Sequence, residues 1–371
     1  AKVYYTFNTN KIKTRKLKMK RMIKYPSIGQ FRNTVKNVVE HSCFIGLDSE
    51  GVAQFDYLKP KPTYTFNATE KIHGTNAGVC FSNIAGIWFQ SRENIITAKE
   101  NNMGFAFFGD ANKDILINII QDLAKENNIN LYHNIITIYG EWAGGKIQKN
   151  SALTNCEKAF IMFEYFKVSP IEPNEDIPAK WFRMNSIEYP SARIYNILRF
   201  NNYNFTIDFN TPELIQNDLI KLVEEVIEPA SPLGKAFGQE ANVGEGIVCS
   251  YLTEDGELLQ FKVKGEKHST HSKVKTLQQL DMIELNKLEE CVEKVCHTWR
   301  FEQALVSTFG EDYASNLDRR LLGDYLKWVS SDTLKEESDI ILEYGFEPKD
   351  VLGKVAKKAK EYFFEVEQGR I

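Results

Sequence analysis

The feature that most constrains this chain is a change of hydrophobic period near Thr276. Before it, apolar and aromatic residues come in short runs: Tyr64–Ile72, Ala77–Asn83, Gly86–Arg92, Ile135–Trp142, Ala159–Phe166, Glu245–Leu252 and Leu258–Gly265. Runs of about 6–9 residues bounded by Gly, Asn, Asp or Ser predict strands of a mostly antiparallel sheet. Two segments among them predict helices: Asp114–Glu126, and Pro212–Ile227 with Thr211 as its N-cap and Pro212 in its first turn. The mixture lacks a regular βαβ alternation, so the expected class is α+β. After Thr276, Leu285, Leu288, Val292, Val295 and Trp299 step by 3 and 4, as do Leu352, Val355, Ala359, Tyr362 and Val366. Both stripes predict amphipathic helices whose apolar faces form an ordinary core. The expected organisation is a basic arm over 1–23, a sheet-rich domain over 24–275 and a small all-α domain over 276–371.

Composition narrows the class. With 43% hydrophobic and 26% charged residues the 371-residue chain is neither low-complexity nor wholly disordered. No apolar run approaches the roughly 18 residues that cross a bilayer, and the first residues lack a secretory layout, so a cytoplasmic and not a secreted protein is expected. Six scattered cysteines without a CxxC pair point to reduced thiols, and against both a disulfide scaffold and zinc at Cys291, Cys296 and His297. The net charge of -4 hides an asymmetry: residues 1–39 hold eleven basic residues and no acidic one, leaving 35 basic against 50 acidic residues elsewhere, a net of -15. Composition alone divides that basic arm between a polyanion partner and a solvated tail.

The chemistry-bearing residues are spread along the sheet-forming region. Glu70-Lys71-Ile72-His73-Gly74-Thr75-Asn76 ends one strand and opens a polar turn through which a backbone can approach phosphate closely. Ser91-Arg92, Gly140-Glu141-Trp142, Phe160 through Glu164, Glu245-Gly246 and Phe261-Lys262-Val263-Lys264-Gly265 follow. Each is weak evidence alone: a lone lysine there is ordinarily a surface residue, Glu141 a surface carboxylate, Arg92 a salt-bridge partner and Phe163 a core aromatic. In order, the set resembles the nucleotidyltransferase motifs of covalent polynucleotide ligases and capping enzymes. His73 stands where DNA ligases and capping enzymes have Asp, and it resembles the RNA ligase 2 family of bacteriophage duplex-nick ligases and RNA-editing ligases. Gly140-Glu141-Trp142-Ala143-Gly144, Ile147-Gln148-Lys149-Asn150 and Lys24-Tyr25-Pro26-Ser27 resemble the same branch. Two departures stand out: Glu164 replaces the family's usual Asp after Phe163, and Ser250 replaces a frequent lysine.

The resemblance implies an antiparallel nucleotidyltransferase (ligase adenylation) domain followed by a helical domain, using ATP and Mg²⁺ or Mn²⁺. It implies joining of RNA 3′-hydroxyl and 5′-phosphate ends, as at nicks in duplex RNA, through a lysyl-AMP and an RNA-adenylate. Lys71 would be the nucleophile attacking the α-phosphorus. An unperturbed lysine amine, of pKa about 10.4, is neutral in roughly one molecule in a thousand near pH 7.5, so neighbouring cations must favour the neutral form. Lys262 and Lys264, on one face of a strand, would hold the α-phosphate. The resemblance assigns Glu245 to catalysis and to a hydrated metal, and Glu70, Ile72, Asn76, Arg92, Glu141 and Phe163 to the nucleotide. Phe163 would offer its face to adenine, with Phe160 on the other side of its strand, and His73 would orient its neighbours. The rival enzymes, a DNA ligase or a capping nucleotidyltransferase, normally carry an OB-fold, for which residues 276–371 hold too few β-type runs. An inactive RNA-binding relative would be expected to have lost Lys71, Glu245 or the lysine pair, and all remain.

Overall fold

The computed structural model describes residues 20–149, 151–173, 176–240, 242–265 and 281–371. The arm before Lys20, Asn150 and the change of texture at Thr276 lie outside the described residues. Among those residues the strands, in chain order, are β1 (Gly29–Gln30), β2 (Phe44–Leu47), β3 (Ala53–Phe55), β4 (Thr63–Glu70), β5 (Thr75–Ser82), β6 (Gly86–Ser91) and β7 (Ile95–Ile96). After a helical interval come β8 (Asn134–Ala143), β9 (Ala159–Pro170), β10 (Lys180–Arg183), β11 (Ile194–Asn196), β12 (Asn202–Asp208), β13 (Gly246–Leu252) and β14 (Leu258–Lys264). Each of the seven apolar runs read from the sequence forms a strand.

The chain divides into two compact units, and their bounds are not contiguous. One holds residues 20–35, 63–207 and 217–265, the other 36–62, 208–216 and 281–371. In the second, residues 36–62 join the C-terminal helices because side chains tie them there: Tyr57 lies 5.7 Å from the Phe364 ring, and Arg319 bonds both Gln54 and Glu367.

The first unit contains two sheets. One runs β1-β14-β13-β4-β12; the other runs β10-β9-β8-β5-β6-β7, with β11 beside β9. The pairings β13–β14, β13–β4, β5–β6, β5–β8, β6–β7, β8–β9 and β10–β9 are antiparallel, whereas β1 joins β14 and β11 joins β9 in parallel. The fold is therefore α+β. The helix Lys113–Glu126 buries Leu116, Ile119, Ile120 and Leu123, at helical spacing, in a core with Val79, Ile136 and Ile138 of the larger sheet. Phe160 is fully buried in that core, against Phe105. The segment Pro212–Ile227 is present as a 3₁₀ turn, an α-helix (Gln216–Leu222) and a π turn in succession; the Thr211 side chain makes no capping bond.

The second unit packs the helices Met282–Val295, Thr298–Phe309, Leu322–Glu343 and Pro348–Glu367 around Val292, Leu305, Tyr325, Val355 and Phe363. Asp281 caps the first by accepting from Ile283 and Glu284 N–H groups at 2.9 and 3.2 Å. The stripe from Leu285 does not run through to Trp299. That helix ends at Val295, Cys296 and His297 are extended, and Trp299 lies 53% exposed on the next helix. No helix among the described residues is long and apolar enough to cross a membrane.

Candidate active site

The smaller sheet supplies the floor of a cleft of about 470 Å³. Strand alternation places Gln260, Lys262 and Lys264 of β14 on one face, and antiparallel register sets them opposite Ser250, Val248 and Gly246 of β13. Three cross-strand rows result. Lys264, Gly246 and the Lys71 backbone form the first, Lys262, Val248 and Thr69 the second, and Gln260 and Ser250 the third.

The first row is charged. Lys71 follows β4 and extends its pairing, its N–H donating to the Gly246 carbonyl at 2.8 Å. Its Nζ is 2.6 Å from Glu245 Oε2, Lys264 Nζ is 2.7 Å from Glu245 Oε1, and His73 Nδ1 is 3.3 Å from Oε2. Glu245 is only 3% exposed, so burial alone would raise its carboxyl; the His73 bond, the Lys71 charge and bonds from both lysines outweigh that and hold it well below the usual carboxylate range. Burial, with the charges of Lys264 and Lys71, lowers the Lys262 ammonium. Gly246 is required beside Glu245: its φ is +146°, and a Cβ there would stand 2.1 Å from the Val263 carbonyl oxygen.

Opposite this row, Glu141 accepts from the Gly74 N–H at 3.1 Å, which closes the polar turn over the cleft. Burial pushes the Glu141 carboxyl up to about 7 against the pull of Lys71 and that N–H. Asn76 pairs with Glu141 across β5 and β8, and Arg92 donates to Ser27 Oγ at 2.9 Å. All three line the cleft, as does Phe163. Ile72 also lines it, and packs with Ala143, Leu153, Ile161 and Ile197. Glu70 reaches the cleft wall, but its carboxylate is taken by the Ser231 hydroxyl and, at 2.9 Å, the Leu233 N–H. It fastens the start of the short helix Pro232–Ala236, whereas the resemblance assigns it to the nucleotide. Burial raises the Glu70 carboxyl to about 7, despite those two bonds.

The far row is neutral; the sequence pointed to Ser250 and, through its motif, to Tyr25, but not to Gln260. Tyr25 donates to Gln260 Oε1 at 2.8 Å, and Gln260 Nε2 donates to Ser250 Oγ at 2.8 Å. The Tyr25 ring packs 5.2 Å from Phe163, and its burial keeps the phenol protonated by raising it. The preceding residues are pinned to the larger sheet. Arg21 donates to the Ile171 and Pro170 carbonyls at 2.7 and 2.6 Å, while Ile23 exchanges two hydrogen bonds with Gln90. Lys20–Ile23, read from the sequence as the end of the basic arm, are thus fastened to the larger sheet just before Tyr25 joins the cleft lining. Alternation with Lys262 and Lys264 was the available signal for Gln260.

A family model described as RNA ligase matches residues 65–264, more than half of the chain and every motif from Lys71 to Lys264. The chain belongs to the RNA ligase family. Among solved structures it is similar to Naegleria gruberi RNA ligase with PPi, at 14% identity and a TM-score of 0.36, covering 67% of this chain and 59% of that one. A lysine-to-alanine mutant of that enzyme with ATP and Mn gives 16%, 0.38, 67% and 58%; a lysine-to-methionine mutant with AMP and Mn gives 16%, 0.37, 66% and 57%. The chain thus spans under two thirds of these relatives' length. No curated protein matches it.

Proposed function

We propose that this chain is an ATP-dependent RNA ligase of the RNA ligase 2 branch, joining a 3′-hydroxyl to a 5′-phosphate at nicks in duplex RNA. One observation carries the reading: Lys71 Nζ is held at the cleft, 2.6 Å from an ionised Glu245 and among the cations Lys262 and Lys264. A surface lysine has no need of a buried carboxylate and two companion lysines; a nucleophile that must meet a phosphate does, since the carboxylate aims it and the companion lysines favour its neutral form.

In the first step the neutral Lys71 amine attacks the α-phosphorus of ATP, the N–P bond forms, the bond to the bridging oxygen breaks, pyrophosphate leaves, and the nitrogen gives up one proton to the departing pyrophosphate or to water. Glu245 aims the amine, and its low carboxyl makes it a poor base. Lys262 and Lys264 meet the charge that builds on the phosphate. In the second step an RNA 5′-phosphate oxygen takes the adenylate and the lysine departs. In the third the 3′-hydroxyl displaces AMP. Among the described residues no group of three or more His, Cys, Asp or Glu is placed to hold a metal. The donor set fits a hydrated Mg²⁺ or Mn²⁺ carried by the triphosphate, with Glu245 accepting from its waters. Such an ion would neutralise phosphate charge. Phe163 offers a face to adenine.

The test is sealing of 5′-labelled RNA with ATP or GTP, presented as a nicked duplex or as single strands. Faster sealing of the nick, with ATP only, is expected. GTP use, or DNA sealed in preference to RNA, would favour the rival enzymes.

A further inference from the structure

Beside the cleft, Asn102, Met103 and Gly104 are left-handed in succession, with φ of 48°, 58° and 96°. Two non-glycine residues in that region mark stored backbone strain. The residues that follow divide: Phe105 and Ala106 enter the core, while Met103 and Phe107 are left 51% and 55% exposed. What holds the loop is the cleft rim. Thr75 donates to Asn102 Oδ1 at 3.0 Å and Asn102 Nδ2 to the Asn76 carbonyl at 3.1 Å, and both Thr75 and Asn76 line the cleft. The Met103 carbonyl accepts from Lys158 Nζ at 2.7 Å and Trp142 Nε1 at 3.3 Å.

Three lysines gather at this rim, beside the exposed carboxylates Glu100, Asp110 and Glu157, the last of them paired with Arg193. Lys158 bonds a neutral carbonyl, so its charge stays uncompensated. Lys146 and Lys149 are exposed, on a loop tied to the same turn by Gln148, which donates to the Gly74 carbonyl at 3.3 Å. Among the described residues none of the three has an ion-pair partner. Two exposed apolar side chains flanked by unpaired lysines fit a ligand with flat apolar faces and a phosphate backbone. The C-terminal segment 281–371, with 13 basic and 20 acidic residues, offers such a polyanion no net attraction.

We propose that Met103 and Phe107, with Lys146, Lys149 and Lys158, form an RNA-docking patch beside the cleft. A terminal base lies against Phe107 and Met103, and the backbone phosphates meet the lysines. This rests on the ligase reading, whose end-joining needs an RNA end held next to the nucleotide.

The experiment is fluorescence anisotropy with a labelled nicked RNA duplex, over a series of salt concentrations, with melting curves to confirm that each variant folds. Phe107→Ala is expected to weaken binding about ten-fold or more, and Phe107→Trp to restore it. Lys146→Ala with Lys149→Ala should lower the slope of log affinity against log salt by about 1 to 2. Phe107→Ala within two-fold of wild type, with an unchanged slope in the lysine variant, would overturn the patch and leave a protein partner as the occupant to seek. Label transfer from ATP to the wild type separates the two claims: a protein that takes no label yet loses RNA through Phe107→Ala keeps the patch and loses the ligase reading.

Discussion

Each unit of the molecule buries a charged side chain among opposite charges, and the two clusters differ in what they leave open. In the helical unit Arg300 is 1% exposed; it bonds Asp332 Oδ2 at 2.9 Å, Glu337 Oε1 at 2.6 Å and the Val295 carbonyl at 2.9 Å, and packs 4.8 Å from the Trp299 ring. Each of its three guanidinium nitrogens has a partner. In the sheet unit Glu245 is as deeply buried, but Lys71 and Lys264 remain 21% and 30% exposed and face a cleft. The first cluster is closed on itself and can only hold helices together. The second keeps its cations available to something that arrives. Burial of a charge therefore does not mark a site; the open cavity beside it does.

That contrast fails or sharpens under mutation. The largest effect on folding is expected from Arg300→Met, which strands two carboxylates. It should cost about 3–5 kcal/mol, seen as a drop in denaturation midpoint, with adenylation at low temperature retained. Lys262→Ala should do the opposite, slowing self-adenylation by about 10²-fold while the melting temperature stays nearly fixed.

Smaller is the pH effect of Glu70→Gln. The Glu70 carboxyl titrates near 7 in the fold against 4.5 when unfolded, so the folded state binds its proton more tightly. That contribution to stability is whole below pH 4.5 and is lost as pH rises through 7. The Gln variant should gain melting temperature relative to wild type between pH 5 and pH 8, and a constant difference would count against the buried carboxyl. Smallest should be Arg320→Ala: the Arg320–Asp318 pair lies on the surface, and a denaturation midpoint indistinguishable from wild type is expected by denaturant titration.

The sequence disclosed the parts of the site that lie on strands. Alternation in Leu258–Gly265 put Lys262 and Lys264 on one face, and the three-residue step from Phe160 to Phe163 sent one ring to the core and the other to the cleft. It did not disclose closures made over long separations. Tyr25 meets Gln260 across 235 residues, and Glu70 meets Ser231 across 161; no local period encodes either pair. The helix Phe31–Cys43 stayed hidden because its polar, basic composition blends with the preceding arm, whereas β12 (Asn202–Asp208) went unread although Tyr203, Phe205 and Ile207 alternate with polar residues. The break at Cys296 and His297 is a two-residue change of backbone inside an unbroken hydrophobic stripe, which periodicity cannot register.

The central claim is that Lys71 carries the adenylate, and its most direct test is incubation with α-labelled ATP and Mg²⁺ followed by denaturing electrophoresis. The wild-type chain should hold acid-labile label, as a phosphoramidate does. Lys71→Ala should hold none, while melting within a degree or two of wild type. Label on the Lys71→Ala protein equal to that on the wild type would contradict the account.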